Sequence, residues 1–322
     1  MTTALKNFGW QQQGCYYGFM EAMSLGMSFG TYGTGDGQFN APGTVSFSPD
    51  GSRLVVTDTY NHRIQVYGIT ATTITHQTSY GTMGTGDGQF VLPIGVSFSP
   101  DGTRIAVADK NTHRFQLLGL DGNTIVHQVS YGTNGTGDGQ FDGPHCIAFS
   151  SDGTRLVVSD DGNSRIQVFG VTDNTITHQV SFGAFGTTSG LFRNPRGVSF
   201  TTDGTRIVVG DMTNNRIQVL GISGNTITFQ AGYGEVGDGP GQFNNPFGVA
   251  FSPDGSLIAV ADKGTNRIQI LSISGNALAH RLSYSAYSAA SGPINTPTGV
   301  TFSPDGAHIA IADANNNRIQ II

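Results

Sequence analysis

The run GTVSFSPDGSRLVVTDTYNHRIQVYG, Gly43 to Gly68, decides the fold. Read once, it resembles a catalytic cluster, because Asp58, His62, Arg63 and Gln65 stand within eight residues of one another. Its pattern, however, is that of strands and turns. Thr44–Ser48 places Val45 and Phe47 on one face of a first strand, a. The turn Ser48-Pro49-Asp50-Gly51 follows: Pro presets φ, Asp can accept from backbone N–H groups, and Gly supplies a positive φ. Strand b is expected over Arg53–Asp58 and strand c over Arg63–Tyr67. A fourth strand, d, is expected over Thr73–Tyr80. No segment of the chain has the apolar period of an amphipathic helix.

The unit then repeats. The Asp of the turn recurs as Asp50, Asp101, Asp152, Asp203, Asp254 and Asp305, always 51 residues apart. Pro42, Pro93, Pro144, Pro195, Pro246 and Pro297 keep the same step, and so do Phe47, Phe98, Phe149, Phe200, Phe251 and Phe302. The sixth copy stops at Ile322, the counterpart of Tyr67, and so lacks strand d. Upstream of the first copy, MSLGMSFG (Met23–Gly30) lies in phase with ITHQTSYG (Ile74–Gly81). A linear array has no reason to divide one unit between its two ends, whereas a ring does, since the early strand completes the last blade and covers its unpaired edge. The expectation is an all-β, six-bladed β-propeller of four-stranded antiparallel blades. Residues 17–30 would close the ring. The blades span 43–81, 94–132, 145–183, 196–234, 247–285, and 298–322 with 23–30. Residues 1–16 form a tail outside the repeat.

Composition agrees with a turn-rich β protein. The chain has 322 residues with 47 glycines, and only 12% are charged, about half the usual share. The formal net charge of −6 gives no general attraction to nucleic acid or to an anionic membrane. No apolar run reaches the ~20 residues of a membrane-spanning helix, and the first residues do not read as a secretory signal. Two cysteines, Cys15 and Cys146, form no disulfide framework, which points to a reducing compartment and a cytoplasmic location.

The period answers the opening question. Asp58 recurs as Asp109, Asp160, Asp211, Asp262 and Asp313, and Arg63 recurs as Arg114, Arg165, Arg216, Arg267 and Arg318. Gln65 recurs in every copy as well, while His62 becomes His113, Ser164, Asn215, Asn266 and Asn317. One ligand site has no use for six identical groups, but six equivalent joints need six equivalent fasteners. The Asp and Arg residues are therefore read as structural. The carboxylate would accept from loop N–H groups, and the guanidinium would fork to a carboxylate or to carbonyls of the neighbouring blade.

The pattern GTGDGQF…P…V.FSPDG.RLVV.D..NHRIQV.G, present along nearly the whole chain, resembles the NHL repeat, whose triplet here reads Asn61-His62-Arg63. The SPDG turns also resemble lactonase-like and WD-type propellers over a shorter match. The NHL resemblance implies a six-bladed propeller acting as a binding platform for proteins or single-stranded RNA. No zinc-finger segment of the kind found in related ubiquitin ligases stands in this sequence. A related amidating lyase implies zinc held by histidines near the starts of strand a.

Function should lie where the copies differ. The residue after the repeated Pro reads Gly43, Ile94, His145, Arg196, Phe247 and Thr298; two before it stand Asn40, Val91, Asp142, Arg193, Asn244 and Asn295. The b–c loops, on the same face of a propeller, add Tyr60, His62, Lys110, His113, Asp161, Met212, Lys263 and Asn315. The candidate mouth is accordingly Asp142, His145, Arg193, Arg196 and Phe247, with Tyr60, His62, Lys110, His113 and Lys263 around it.

No cofactor or metal is expected. Zinc needs about three protein ligands and this ring of positions offers only His145, while His76, His127, His178 and His280 fall on outer strands. The GTGDGQF loops open no helix, so a phosphate cradle fails its context. The favoured function is a non-enzymatic platform for a protein or peptide. The alternative is a propeller hydrolase or lyase acting on a small molecule in the central mouth. Single-stranded RNA is a second alternative, weakened because most of the 16 Lys and Arg residues belong to repeated structural positions.

Overall fold

The computed structural model describes residues 26–285 and 292–322. The proposed tail 1–16, and residues 17–25 of the proposed closing segment, lie outside the described residues. Among those described, strands and short 3-10 turns are the only regular elements.

Five blades are formed by consecutive strands. Blade 1 comprises a Pro42–Phe47, b Arg53–Asp58, c Arg63–Ile69 and d Ile74–Tyr80. Blade 2 starts at Pro93–Phe98, blade 3 at Pro144–Phe149, blade 4 at Pro195–Phe200 and blade 5 at Pro246–Phe251. In each, the four strands hydrogen-bond in sequence order. Blade 6 draws on both regions: Pro297–Phe302, Ile309–Asp313 and Arg318–Ile321 are completed by Met27–Phe29. The closing register is antiparallel, with Met27 opposite Ile321 and Phe29 opposite Ile319. The six-bladed ring closed by an N-terminal strand is therefore the architecture. A bond from Thr298 Oγ1 to Pro42 O (3.0 Å) also crosses the junction.

Strands b and c are buried almost throughout because neighbouring blades cover both faces. The core is accordingly divided into six clusters, one at each seam between blades. Each seam receives one fully buried phenylalanine or isoleucine from the loop that enters a blade: Phe39, Phe90, Phe141, Phe192, Phe243 and Ile294. Burying such a side chain stabilises by about 1.5–3 kcal/mol.

The repeated polar cluster forms the joint between that loop and the blade it enters. Asp58 is 0% exposed. Its Oδ1 accepts from Asn40 N at 2.8 Å, and its Oδ2 from Arg63 Nε at 2.8 Å and Gln65 Nε2 at 3.0 Å. Arg63 Nη2 reaches Gly35 O and Gln38 O, and Gln65 adds bonds to Gln38 O and from Gly37 N. The fork thus grips the inter-blade loop and the blade's own Asp rather than the body of the neighbouring blade. Asp160 with Arg165, Asp211 with Arg216, Asp262 with Arg267 and Asp313 with Arg318 make the same pair. In blade 2 Arg114 Nε stands 3.8 Å from Asp109, whose carboxylate bonds Thr112 instead.

Two predictions follow from this architecture. Arg165→Ala leaves the carboxylate of Asp160 buried without its cation, so urea denaturation should show a loss of about 3–5 kcal/mol; a wild-type midpoint would remove the fastener role. The SPDG turns set the acid limit. Asp50 Oδ1 accepts from Ser48 Oγ at 2.5 Å and Ser52 N at 3.0 Å, and these bonds hold its pKa down at about 2. Asp101, Asp152, Asp203, Asp254 and Asp305 are lowered for related reasons. A depressed folded pKa stabilises above the unfolded value and is lost as pH falls through the folded one. Stability should therefore decline between about pH 4 and pH 2, and Asp50→Asn should flatten that decline.

Candidate functional site

The residues that vary after the repeated Pro and after the repeated Asp meet at one end of the ring axis. His145, Arg196 and Phe247 come from the starts of strand a in blades 3, 4 and 5. Lys110, Asp161 and Lys263 follow the last residue of strand b in blades 2, 3 and 5. Local bonds hold the backbone that carries them. Ser159 Oγ donates to Arg196 O and accepts from Cys146 N, tying the His145 and Arg196 segments together. Gly210 leaves room for the Phe247 carbonyl, which an added Cβ would meet at 2.8 Å.

His145 is 1% exposed, and neither ring nitrogen has a hydrogen-bond partner. Phe247 lies against it edge-on, with ring centroids 4.7 Å apart. Two cations stand over the Phe247 ring: Lys263 Nζ at 4.8 Å and Arg196 Cζ at 5.3 Å from its centroid. Arg196 Nη2 pairs with Asp161 Oδ2 at 3.1 Å, and Lys110 Nζ approaches the same oxygen at 3.8 Å. Arg196 Nε and Asp161 Oδ1 are buried without partners. The cluster thus sets three cations against one buried carboxylate, with the more exposed Asp142 acting on Lys110 from outside, in a chain whose net charge is −6.

This crowding shifts the titrations. Burial, and then the fields of Arg196, Lys110 and Lys263, hold His145 well below the ordinary imidazole range. Burial lowers Lys263, with Arg196 and Lys110 adding to it. Lys110 is lowered by burial and Arg196, against the pull of Asp161 and Asp142. The site therefore offers a neutral imidazole beneath under-compensated cations, an arrangement that suits an anionic ligand and proton transfer.

The other candidates stand outside this cluster. Arg193 lies over the ring of Phe185 at 5.0 Å. Asp142 lies beside the b–c loop of its own blade, where Gly162 N bonds its carbonyl at 2.8 Å, and 3.8 Å from His113. Tyr60 is an exposed loop residue. His62 and His113 belong to the joints. Both adopt a left-handed backbone, and their Nδ1 atoms accept from Leu92 N and Gly143 N in the next inter-blade loop. Asn215, Asn266 and Asn317 make the same bond with Oδ1. The histidines thus stand in for asparagine. Asp161, in contrast, entered the sequence reading only as one loop residue among several, yet it is the counter-ion of the centre. The available signal was its position, which reads Thr59, Lys110, Asp161, Met212, Lys263 and Ala314 around the ring.

Two cavities among the described residues lie away from the cluster. An axial channel of about 160 Å³, lined by strand-a residues including Cys146, Ser97 and Ser199, lies along the ring's interior. A cavity of about 780 Å³ sits at the seam between blades 6 and 1. The mouth itself is filled by its own side chains.

Residues 37–322 match the model of the family described as lactonase, seven-bladed β-propeller. The chain belongs to this lactonase family. Its members' seven blades are here six. NHL repeat-containing protein 2 of Bos taurus is 24% identical over 74% of the chain, and the chain spans about two fifths (40%) of that relative's length, so the NHL kinship is distant. The ring superposes on a protein of Bacteroides uniformis provisionally named a 6-phosphogluconolactonase, with TM-score 0.63, 16% identity, and coverage of 92% of this chain and 91% of that one. The periplasmic gluconolactonase PpgL of Pseudomonas aeruginosa gives TM-score 0.60 and 16% identity, covering 91% of this chain and 90% of that one. At these identities the superpositions show the fold alone. Family membership corrects the expectation of a non-enzymatic platform: the match is to a family described as lactonases, which favours the small-molecule hydrolase first held as the alternative. No helix among the described residues is long and apolar enough to cross a membrane.

The neutral state of His145 has a measurable consequence. The folded protein refuses a proton that the unfolded chain accepts near pH 6.5, so stability falls as pH drops below that value. His280, lowered by burial and Arg267, acts in the same direction. His145→Gln should reduce the slope of stability against pH between pH 6.5 and 5 by up to about 1.4 kcal/mol per pH unit. An unchanged slope would mean that His145 takes up its proton in the folded state.

Proposed function

We propose that this propeller hydrolyses a small lactone bearing an anionic group, bound at the central mouth around His145. The observation that carries this reading is the buried, unpartnered imidazole surrounded by Lys110, Arg196 and Lys263. The lactonase family match supports the reaction class. The names of the gluconolactonase-type neighbours suggest an aldonolactone as the form of substrate.

The chemistry needs a base, an anion site and a place for developing negative charge. Neutral His145 takes a proton from a water molecule as the water oxygen bonds to the lactone carbonyl carbon. The carbonyl oxygen becomes an oxyanion facing the cationic cluster. Collapse of this intermediate breaks the bond to the ring oxygen, which leaves with the proton from His145, and the product is the open hydroxy acid. Burial and the fields of Arg196, Lys110 and Lys263 oppose protonation of His145 and hold it well below the ordinary imidazole range. A bound anion offsets those cations and raises the imidazole towards the range a general base needs. Asp161 keeps Arg196 and Lys110 directed at the centre through its 3.1 and 3.8 Å contacts.

The test is hydrolysis of gluconolactone and of its 6-phosphate by the purified protein, measured above the spontaneous rate. Acceleration is expected with both, with the larger kcat/KM for the phosphate. His145→Gln should lower kcat/KM by about 10²–10⁴-fold, and Lys263→Met should raise KM for the phosphorylated lactone more than for the neutral one. No acceleration with either lactone, or full activity in His145→Gln, would overturn the reading.

A further inference from the structure

The closed state of the mouth poses a problem that the reaction alone does not solve. His145 is 1% exposed, so in the arrangement described no substrate can reach either ring nitrogen. Phe247, itself only 7% exposed, packs edge-on against the imidazole. What holds Phe247 there is visible. Arg196 and Lys263 both lie within cation–π distance of its ring, at 5.3 and 4.8 Å. Those two cations are also members of the set that would bind an anion. Arg196 is not saturated: its Nε is buried without a partner, and it shares the carboxylate of Asp161 with Lys110.

We infer that Phe247 is a gate over His145 and that an anion opens it, because the ligand takes Arg196 and Lys263 as its own partners and so removes the contacts that hold the ring down. A cation–π contact is weak beside a charge-assisted hydrogen bond to a phosphate or carboxylate oxygen. The cations therefore exchange an aromatic face for an anion at a net gain, and the ring loses both anchors at once. Position 247 is free for this role because it follows the repeated Pro, where the other copies carry Gly43, Ile94, His145, Arg196 and Thr298, and no joint depends on it. The consequence is specificity: a neutral molecule of the same shape opens the gate less readily, so the anionic ligand is preferred. This inference rests on the mouth being the substrate site but does not require the substrate to be a lactone.

The test reads the accessibility of His145 directly. Wild type and variants are treated with diethyl pyrocarbonate at pH 7.5, and carbethoxylation is quantified on the peptide carrying His145, with exposed His308 as internal reference. In chloride, His145 should react at least tenfold more slowly than His308. Inorganic phosphate at the same ionic strength should raise the rate at His145 several-fold and leave His308 unchanged. Phe247→Ala should react fast without phosphate. Phe247→Leu keeps most of the volume without the aromatic face, so its His145 rate should no longer respond to phosphate, and this variant carries the test if the alanine variant does not fold. A His145 rate that phosphate leaves unchanged or lowers in wild type would overturn the gate, as would Phe247→Ala reacting as slowly as wild type. Gating without lactone hydrolysis would remove the lactonase reading alone; hydrolysis that depends on His145 without gating would remove the gate alone.

Discussion

A carboxylate held away from water must be met by donors, and the ring depends on that requirement being met blade after blade. Asp58 is enclosed at the end of strand b, and a backbone N–H, a guanidinium and two side-chain amides converge on it. The cost of burying the charge is offset only when the set is complete, so the loop carrying Asn40 and Gln38, the strand carrying Arg63 and the strand carrying Asp58 are locked together. The loop in turn inserts Phe39 into the seam with blade 6. Polar satisfaction within a blade thereby positions the apolar contact between blades.

Once the joints are set, the axis of the ring becomes a place where side chains can vary without loss of fold. The positions after the repeated Pro and Asp meet there, and nothing in the joint chemistry prescribes them. Blades 2 to 5 use this freedom to gather Lys110, His145, Asp161, Arg196, Phe247 and Lys263. Unlike the joints, this set is electrostatically incomplete. Burial, with the field of the neighbouring cations, lowers Lys110 and Lys263 and holds His145 neutral. Such an incomplete set of charges, set beside the Asp–Arg pairs of the joints, is the feature that the proposed ligand site rests on.

The function was harder to read than the fold, for a reason visible in particular residues. Everything that makes the sequence resemble an NHL repeat, from the SPDG turn to Asp58, Arg63 and Gln65, is joint or turn chemistry and carries no information about what is bound. Reading a platform from it extended a structural signal into function, and the lactonase family match reverses that step. His62 shows the same confusion on a smaller scale. As a histidine at a loop tip it invites a functional reading, but its left-handed backbone and its bond from Leu92 N do the work that asparagine does in three other blades.

By itself, the sequence determined the ring: the period, the position of each turn, the strand that closes blade 6 and the residues repeated as fasteners follow from spacing and from the split of one unit between two ends. It also marked His145, Arg196, Phe247, Lys110 and Lys263 as variable positions on one face. Only the tertiary structure decided which of those positions converge. Arg193 and Asp142 precede the same prolines that His145 and Arg196 follow, yet they lie outside the cluster because the chain has not yet entered strand a at that point. Only the structure joined Asp161 to Arg196 across two blades and laid Phe247 over His145. Contacts between blades depend on the rotation of one unit against the next, and no pattern along a single unit encodes that rotation.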